Sequence, residues 1–143
     1  MSELRKKIHE ILKGPQLVSL ATITEEGKPW VRYVIAITSE NLTVNFSTFL
    51  NARKAAQIKN NSEVHITCGI TNLNEMKPYL QIQGKAVLNT SEEVRYGFWN
   101  SALEKIFEGP DDPNYGIIQV TPYCIEYCTP GSFEPEVWSY PTA

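Results

Sequence analysis

The sequence predicts a mainly β protein, a six- to seven-stranded antiparallel barrel, closed or split, with α-helices at its periphery. Three observations lead there. Short β-branched segments follow one another with only tight polar turns between them, which is the pattern of an antiparallel meander. Helix-like segments are few and lie among the hairpins rather than after every strand, which excludes a doubly wound parallel sheet. A chain of 143 residues with 42% hydrophobic and 20% charged content supplies one core and one domain, residues 1–143.

Each element follows from local pattern. Leu4, Ile8, Ile11 and Leu12 recur at helical spacing, and Gly14-Pro15 stops that helix, giving an N-terminal helix over 2–13. QLVSLATI (16–23) reads as a strand, TEEGKP (24–29) as a turn and WVRYVIAIT (30–38) as the second strand. SEN (39–41) turns the chain into LTVNFST (42–48). A helix from about 51 to 60 carries Ala52, Ala55, Ala56 and Ile58, a small-residue face suited to lie against a sheet. SEVHITCGI (62–70) is the fourth strand, and 71–77 is a loop. PYLQIQGKAVLN (78–89) is a long fifth strand in which Gly84 marks a bulge or a close approach. SEEVRYGFWNSALEKIF (91–107) has Val94, Phe98, Ala102 and Ile106 at four-residue steps, with Ser91 as its cap. A loop (108–115) precedes closing strands at 116–122 and 123–128. The barrel thus covers 16–128, and a Pro-rich tail covers 129–143.

Composition narrows the function. No apolar run approaches the roughly 20 residues that cross a bilayer, and the N-terminus has no signal-peptide core, so a cytoplasmic protein with no membrane partner is expected. Thirteen basic against sixteen acidic residues give a net charge of −3, and no global field favours nucleic acid. Any anion site must be built locally. Cys68, Cys124 and Cys128 are an odd count without a disulfide framework or a metal-binding spacing. His9 and His65 have no visible nucleophile or metal partner and read as structural, so no metal site is expected. Asp111 and Asp112 look like turn chemistry. Trp99 reads as helix packing and Trp138 as an anchor for the tail, an aromatic near a flat ligand being the alternative reading. No residue stands out as a general acid or base.

Two places carry candidate chemistry. In the second strand, alternation puts Trp30, Arg32, Val34 and Ala36 on one face and Val31, Tyr33, Ile35 and Ile37 on the other. Arg32 is therefore flanked by apolar neighbours, where a guanidinium needs a partner. The second place is FSTFLNARKAAQIKNN (46–61). Ser47 and Thr48 end a strand, Asn51 looks like a helix cap, and Arg53 and Lys54 fall in the first helical turn. Cations there oppose the helix dipole by a few tenths of a kcal/mol. An anion held between them and the free N–H groups would reverse that sign. The alternative is a solvated basic turn, and local sequence leaves the choice open.

RYVIAI (32–37), FST (46–48), ARK (52–54) and KNN (59–61), in this order and spacing, resemble the FMN-binding split barrels of the pyridoxamine 5'-phosphate oxidase-like superfamily. WNSALEKIFEGPDDPNYGIIQVTPYCIEYC (99–128) is similar to its general stress protein 26-like branch. The resemblance covers about residues 4–128. It implies a homodimer with FMN at the subunit interface and an oxidoreductase acting on an unidentified small molecule. Alternatives are a flavin carrier or sensor without turnover, or a split barrel holding a deazaflavin or haem. Carried over by position, Arg32, Tyr33 and Val34 would line the flavin, Ser47 and Thr48 would contact it, and Arg53 and Lys54 would grip its phosphate. Tyr79 stands where many members have a Gln near the ring system. The Tyr-x-x-x-Arg-x-x-x-Ser pattern that holds the substrate phosphate in the oxidases is met only at Tyr96, since Asn100 and Glu104 occupy the other two positions. Vitamin B6 oxidation is therefore not expected.

Overall fold

The longest strand closes the barrel. In the computed structural model, which describes residues 2–140, the chain runs α1 (Glu3–Leu12), β1 (Gln16–Ile23), β2 (Pro29–Thr38), β3 (Val44–Phe49), α2 (Arg53–Asn60), β4 (Glu63–Cys68) and β5 (Tyr79–Asn89). It continues through α3 (Glu92–Phe98), a 3-10 helix (Ser101–Lys105), β6 (Tyr115–Cys128) and β7 (Glu136–Ser139). The strand order is β3-β2-β1-β4-β5-β6-β7, and β6 returns to pair with β3. Six antiparallel strands therefore form a closed barrel, with β7 as an added strand. The last three residues of the expected tail, 141–143, lie outside the described residues.

The barrel interior is filled by alternate side chains, as the period of two requires. Val18 and Leu20 from β1, Val44 and Phe46 from β3, Ile66 from β4, Leu80 and Ile82 from β5, and Ile118, Val120 and Ile125 from β6 are all buried there. Ile8 and Leu12 of α1 cover one end. Truncating a side chain such as Phe46 to Ala would cost about 3–5 kcal/mol through lost burial and the cavity left behind. A second cluster of Leu103, Phe107, Tyr115 and Ile117 lies under the 3-10 helix, with Val94, Phe98 and Trp99 against it. Trp99 meets Tyr115 edge-on at 5.5 Å, and Trp138 packs on the main core, so both tryptophans are packing residues.

Two junctions give the barrel its local shape. Strand β1 pairs with β2 along its whole length, from Gln16 opposite Ala36 to Ile23 opposite Pro29. Strands β2 and β3 pair only at Ile37–Asn45 and Thr38–Val44. Most of the outer edge of β2 is therefore open, and α2 follows β3 to pack on β1 and β5 with Ala55 and Ile58 buried. The second junction is at Gly84, where the β5–β6 register shifts. A Cβ at Gly84 would lie 2.7 Å from Val120 Cγ1 and 2.9 Å from the Thr121 carbonyl, so only glycine fits this bulge.

Four expectations change in detail. The helix over 91–107 is two pieces, because Asn100 is extended (φ −150°, ψ 169°) and its side chain caps the 3-10 helix through the Ala102 N–H. The two closing strands are one, since Pro122 stands opposite Gly84 at the register shift, where a missing N–H is tolerated. The tail holds a strand, β7, pairing with Cys124–Tyr127 of β6. Leu42 takes a positive φ of 70° in the turn before β3, so that strand begins at Val44.

Candidate functional site

The open edge of β2 exposes one end of the barrel, and three cations gather there. Arg32 lies opposite Leu20 in the β1–β2 ladder, on the barrel-facing side of its strand. Its guanidinium donates to the Leu20 carbonyl at 3.1 Å and to Gln57 Oε1 at 3.0 Å. The Thr22 hydroxyl donates to the same Gln57 oxygen. Gln57 is one helical turn beyond Arg53, so α2 both aims Arg32 and presents Arg53 and Lys54 beside it. Arg53 lies over the Trp30 ring, 5.9 Å from its centroid.

The electrostatics of this group are unbalanced. Burial lowers the Arg32 pKa, and the charge of Arg53 lowers it further. Burial likewise lowers the Lys54 pKa, with the Arg32 charge adding to the effect. None of the ion pairs among the described residues includes any of the three. The partners of Arg32 are neutral oxygens that orient the guanidinium without cancelling its charge. Helix α2 begins at Arg53 with Ala52 at the cap position and no side-chain cap. Asn51, expected as the cap, instead accepts from Asn114 Nδ2 at 3.3 Å. The first turn thus combines unsatisfied N–H groups, a positive helix end and three clustered cations, all of which favour an anion.

The other sequence-derived candidates fall elsewhere. Tyr33 points to the opposite face of β2 from Arg32 and is 75% exposed. It lines an open cleft of about 640 Å³ together with Leu17, Ser19, Thr67, Met76 and Tyr79. Strand alternation therefore divides the set. Arg32, Arg53 and Lys54 form one group, while Tyr33 and Tyr79 meet on the outer sheet face. Gln81, two residues beyond Tyr79 on that face and opposite Thr67, is a glutamine that sequence pattern did not single out. Val34 packs against the core. Thr48 is buried and its hydroxyl donates to the Phe49 carbonyl at 2.9 Å, while Ser47 is half-buried on the opposite side of β3. Gln57 and Trp30 were also missed as site residues. Helical spacing from Arg53 would have found Gln57, and Trp30 shares the alternation face of Arg32.

The outer faces of β1 and β2 are apolar and exposed. Leu17 (49%), Val31 (64%), Tyr33 (75%) and Ile35 (65%) form a contiguous patch beside the cleft, of the kind that marks an interaction surface. On α3, the Tyr96 hydroxyl donates to Asp111 Oδ1, Asn100 is spent as a cap and Glu104 is exposed. The residues at the oxidase substrate-phosphate positions are thus not aligned on one helix face.

Known proteins share this fold. The family model described as "Pyridoxamine 5'-phosphate oxidase" matches residues 4–128. General stress protein 26 of Bacillus subtilis (strain 168) is 34% identical over 133 residues, covering 93% of this chain and 94% of that protein. The crystal structure of General Stress Protein 26 from Bacillus anthracis str. Sterne superposes with a TM-score of 0.83 at 27% identity, covering 97% of this chain and 100% of that one. A heme binding protein from Mycobacterium smegmatis shares the fold alone, with a TM-score of 0.76 at 12% identity over 97% of this chain and 59% of that one. No helix among the described residues is long and apolar enough to cross a membrane.

Proposed function

Because the chain belongs to the pyridoxamine 5'-phosphate oxidase family, we propose that it is a cytoplasmic, homodimeric FMN-binding protein that acts as an oxidoreductase on a small molecule. The observation that carries this reading is the cationic group of Arg32, Arg53 and Lys54, left without a carboxylate at an uncapped helix start. A phosphomonoester suits it in charge and in hydrogen bonding. Each charge-assisted bond contributes about 1.5–3 kcal/mol before desolvation. Arg32 is held in place by Leu20 and Gln57 before any ligand arrives, which lowers the ordering cost of binding. Bound FMN would supply one- and two-electron transfer. The protein supplies the grip, and the apolar face of β1 and β2, covered by a second copy of this chain, would exclude water from the cofactor.

A titration tests the phosphate assignment. Arg53→Ala is expected to weaken FMN by tenfold or more, about 1.4 kcal/mol per decade. Lys59→Ala, on an exposed position of the last helical turn, is expected to change it little. Equal losses would overturn the assignment.

One observation favours a second reading, a flavin carrier or sensor without turnover. Tyr96 and Asn100 are engaged in local structure, and Glu104 is acidic where a substrate phosphate would need a donor. Reduction by NADH or NADPH followed by reoxidation with added acceptors separates the two. A flavin that is bound but inert to both coenzymes favours the carrier. A deazaflavin or haem is the outcome if FMN is not retained.

A further inference from the structure

We infer that Asn114, in the loop before β6, is a positioning residue that fixes the start of α2 so that Arg53 and Lys54 meet the phosphate together. This inference rests on the FMN reading above. The connector between β3 and α2 spans residues 50–52, and a single side chain holds it among the described residues. Asn114 Oδ1 accepts from the Leu50 N–H at 3.0 Å and from the Asn51 N–H at 3.3 Å. Its Nδ2 donates back to Asn51 Oδ1 at 3.3 Å. The Leu50 N–H also reaches the Asn114 carbonyl at 3.0 Å, and the Ala52 N–H closes on the Phe49 carbonyl at 3.1 Å. Arg53 follows at once.

Asn114 is itself fixed by the acidic loop that precedes it. Its N–H donates to Asp112 Oδ1 at 2.8 Å, and the Glu108 N–H donates to Asp112 Oδ2 at 3.0 Å. Those two bonds hold the Asp112 carboxyl below the usual carboxylate range. From the other side, Leu50 fills a notch above Gly116, where a Cβ would lie 2.7 Å from Leu50 Cδ2. Phe49 packs on Phe107 in a tilted pair, 4.8 Å between ring centroids. The connector is clamped on both sides, yet the helix it leads into has no cap of its own. The clamp therefore supplies the rigidity that a capping side chain would otherwise give, and it takes up neither the Arg53 nor the Lys54 N–H. A functional constellation needs this kind of support, because a loose backbone spreads its charges over many positions.

The test compares FMN with riboflavin, which has the same ring and ribityl chain but no phosphate. Asn114→Ala is expected to lose about tenfold in FMN affinity, the size of one weakened charge-assisted bond, and to keep its riboflavin affinity within about twofold. Parallel losses of both ligands would assign Asn114 a merely structural role, and an unchanged FMN affinity would remove any role. If the Ala variant fails to fold, Asn114→Ser, which stays uncharged and shortens the acceptor, decides. It is expected to lower the FMN-to-riboflavin ratio, and a ratio held at that of the wild type overturns the inference. Failure of the wild type to bind FMN at all would instead remove the reading on which the inference rests.

Discussion

Replacing Gln57 with Glu should stabilise the free protein and weaken cofactor binding at the same time. Gln57 Oε1 accepts from Arg32 Nη2 at 3.0 Å and also from the Thr22 hydroxyl. A carboxylate at that position would turn a neutral acceptor into an ionic partner for a half-buried guanidinium. The Arg32 bond becomes an ion pair and the Thr22 bond gains a charged acceptor, a gain of about 1 kcal/mol once discounted for solvent. That corresponds to roughly 3 °C in melting temperature for a domain of this size. The same carboxylate cancels one of three cations facing the phosphate, which should cost about 1–2 kcal/mol, or roughly five- to thirtyfold in FMN affinity. Thermal unfolding of the apoprotein and flavin fluorescence titration read the two effects separately. If the basic group were only a solvated surface turn, stability would rise and affinity would not change. A variant that gains stability and keeps its FMN affinity refutes the reasoning.

Three further outcomes rest on local geometry. The Lys54 pKa is depressed in the folded state against its ordinary 10.5. Between those two values the unfolded chain holds more protons, so apoprotein stability should rise with pH there, relative to Lys54→Met, while FMN affinity falls; urea midpoints measured from neutral pH towards 10.5 would show it. Gly84→Ala should cost about 1–3 kcal/mol, because its Cβ meets Val120 and the Thr121 backbone. Gly97→Ala, in α3 with open space around it, should add about 0.5–1 kcal/mol, and the two urea midpoints should move in opposite directions. Burial pushes the Cys68 thiol up to about 12, so removing it as Cys68→Ala should leave the rate and extent of native thiol labelling at mildly alkaline pH unchanged, since Cys124 and Cys128 are the more accessible thiols.

The barrel could be read from the sequence because its signals are local. Alternation in 16–23, 30–38 and 78–89 defines both strand and face, and Gly84 marks its own bulge. What was missed depends on contacts distant in sequence. Asn51 looks like a cap by type, but Asn114 claims it from 63 positions away, and Ala52 is left at the helix start. Residues 91–107 keep helical spacing throughout, yet Asn100 can cap a new turn as readily as it can continue the old one. The tail reads as Pro-rich coil, and its strand exists only because β6 offers an edge to pair with. At the site, Arg32 and the Arg53–Lys54 pair stand out by charge, and their place on one meander and the family resemblance both bring them together. The contact that joins them, Arg32 to Gln57 on α2, is tertiary and has no local signal. Alternation already set Tyr33 on the face opposite Arg32, and the exposure of Tyr33 follows from it.

The most direct test of the central claim is the visible absorbance spectrum of the purified protein after it is mixed with FMN and desalted, recorded for the wild type and for Arg53→Ala. Flavin bands retained by the wild type and lost from the variant are the predicted result. A wild-type spectrum without flavin, or bands retained equally by both proteins, would contradict the assignment of the Arg32, Arg53 and Lys54 cluster as the phosphate grip.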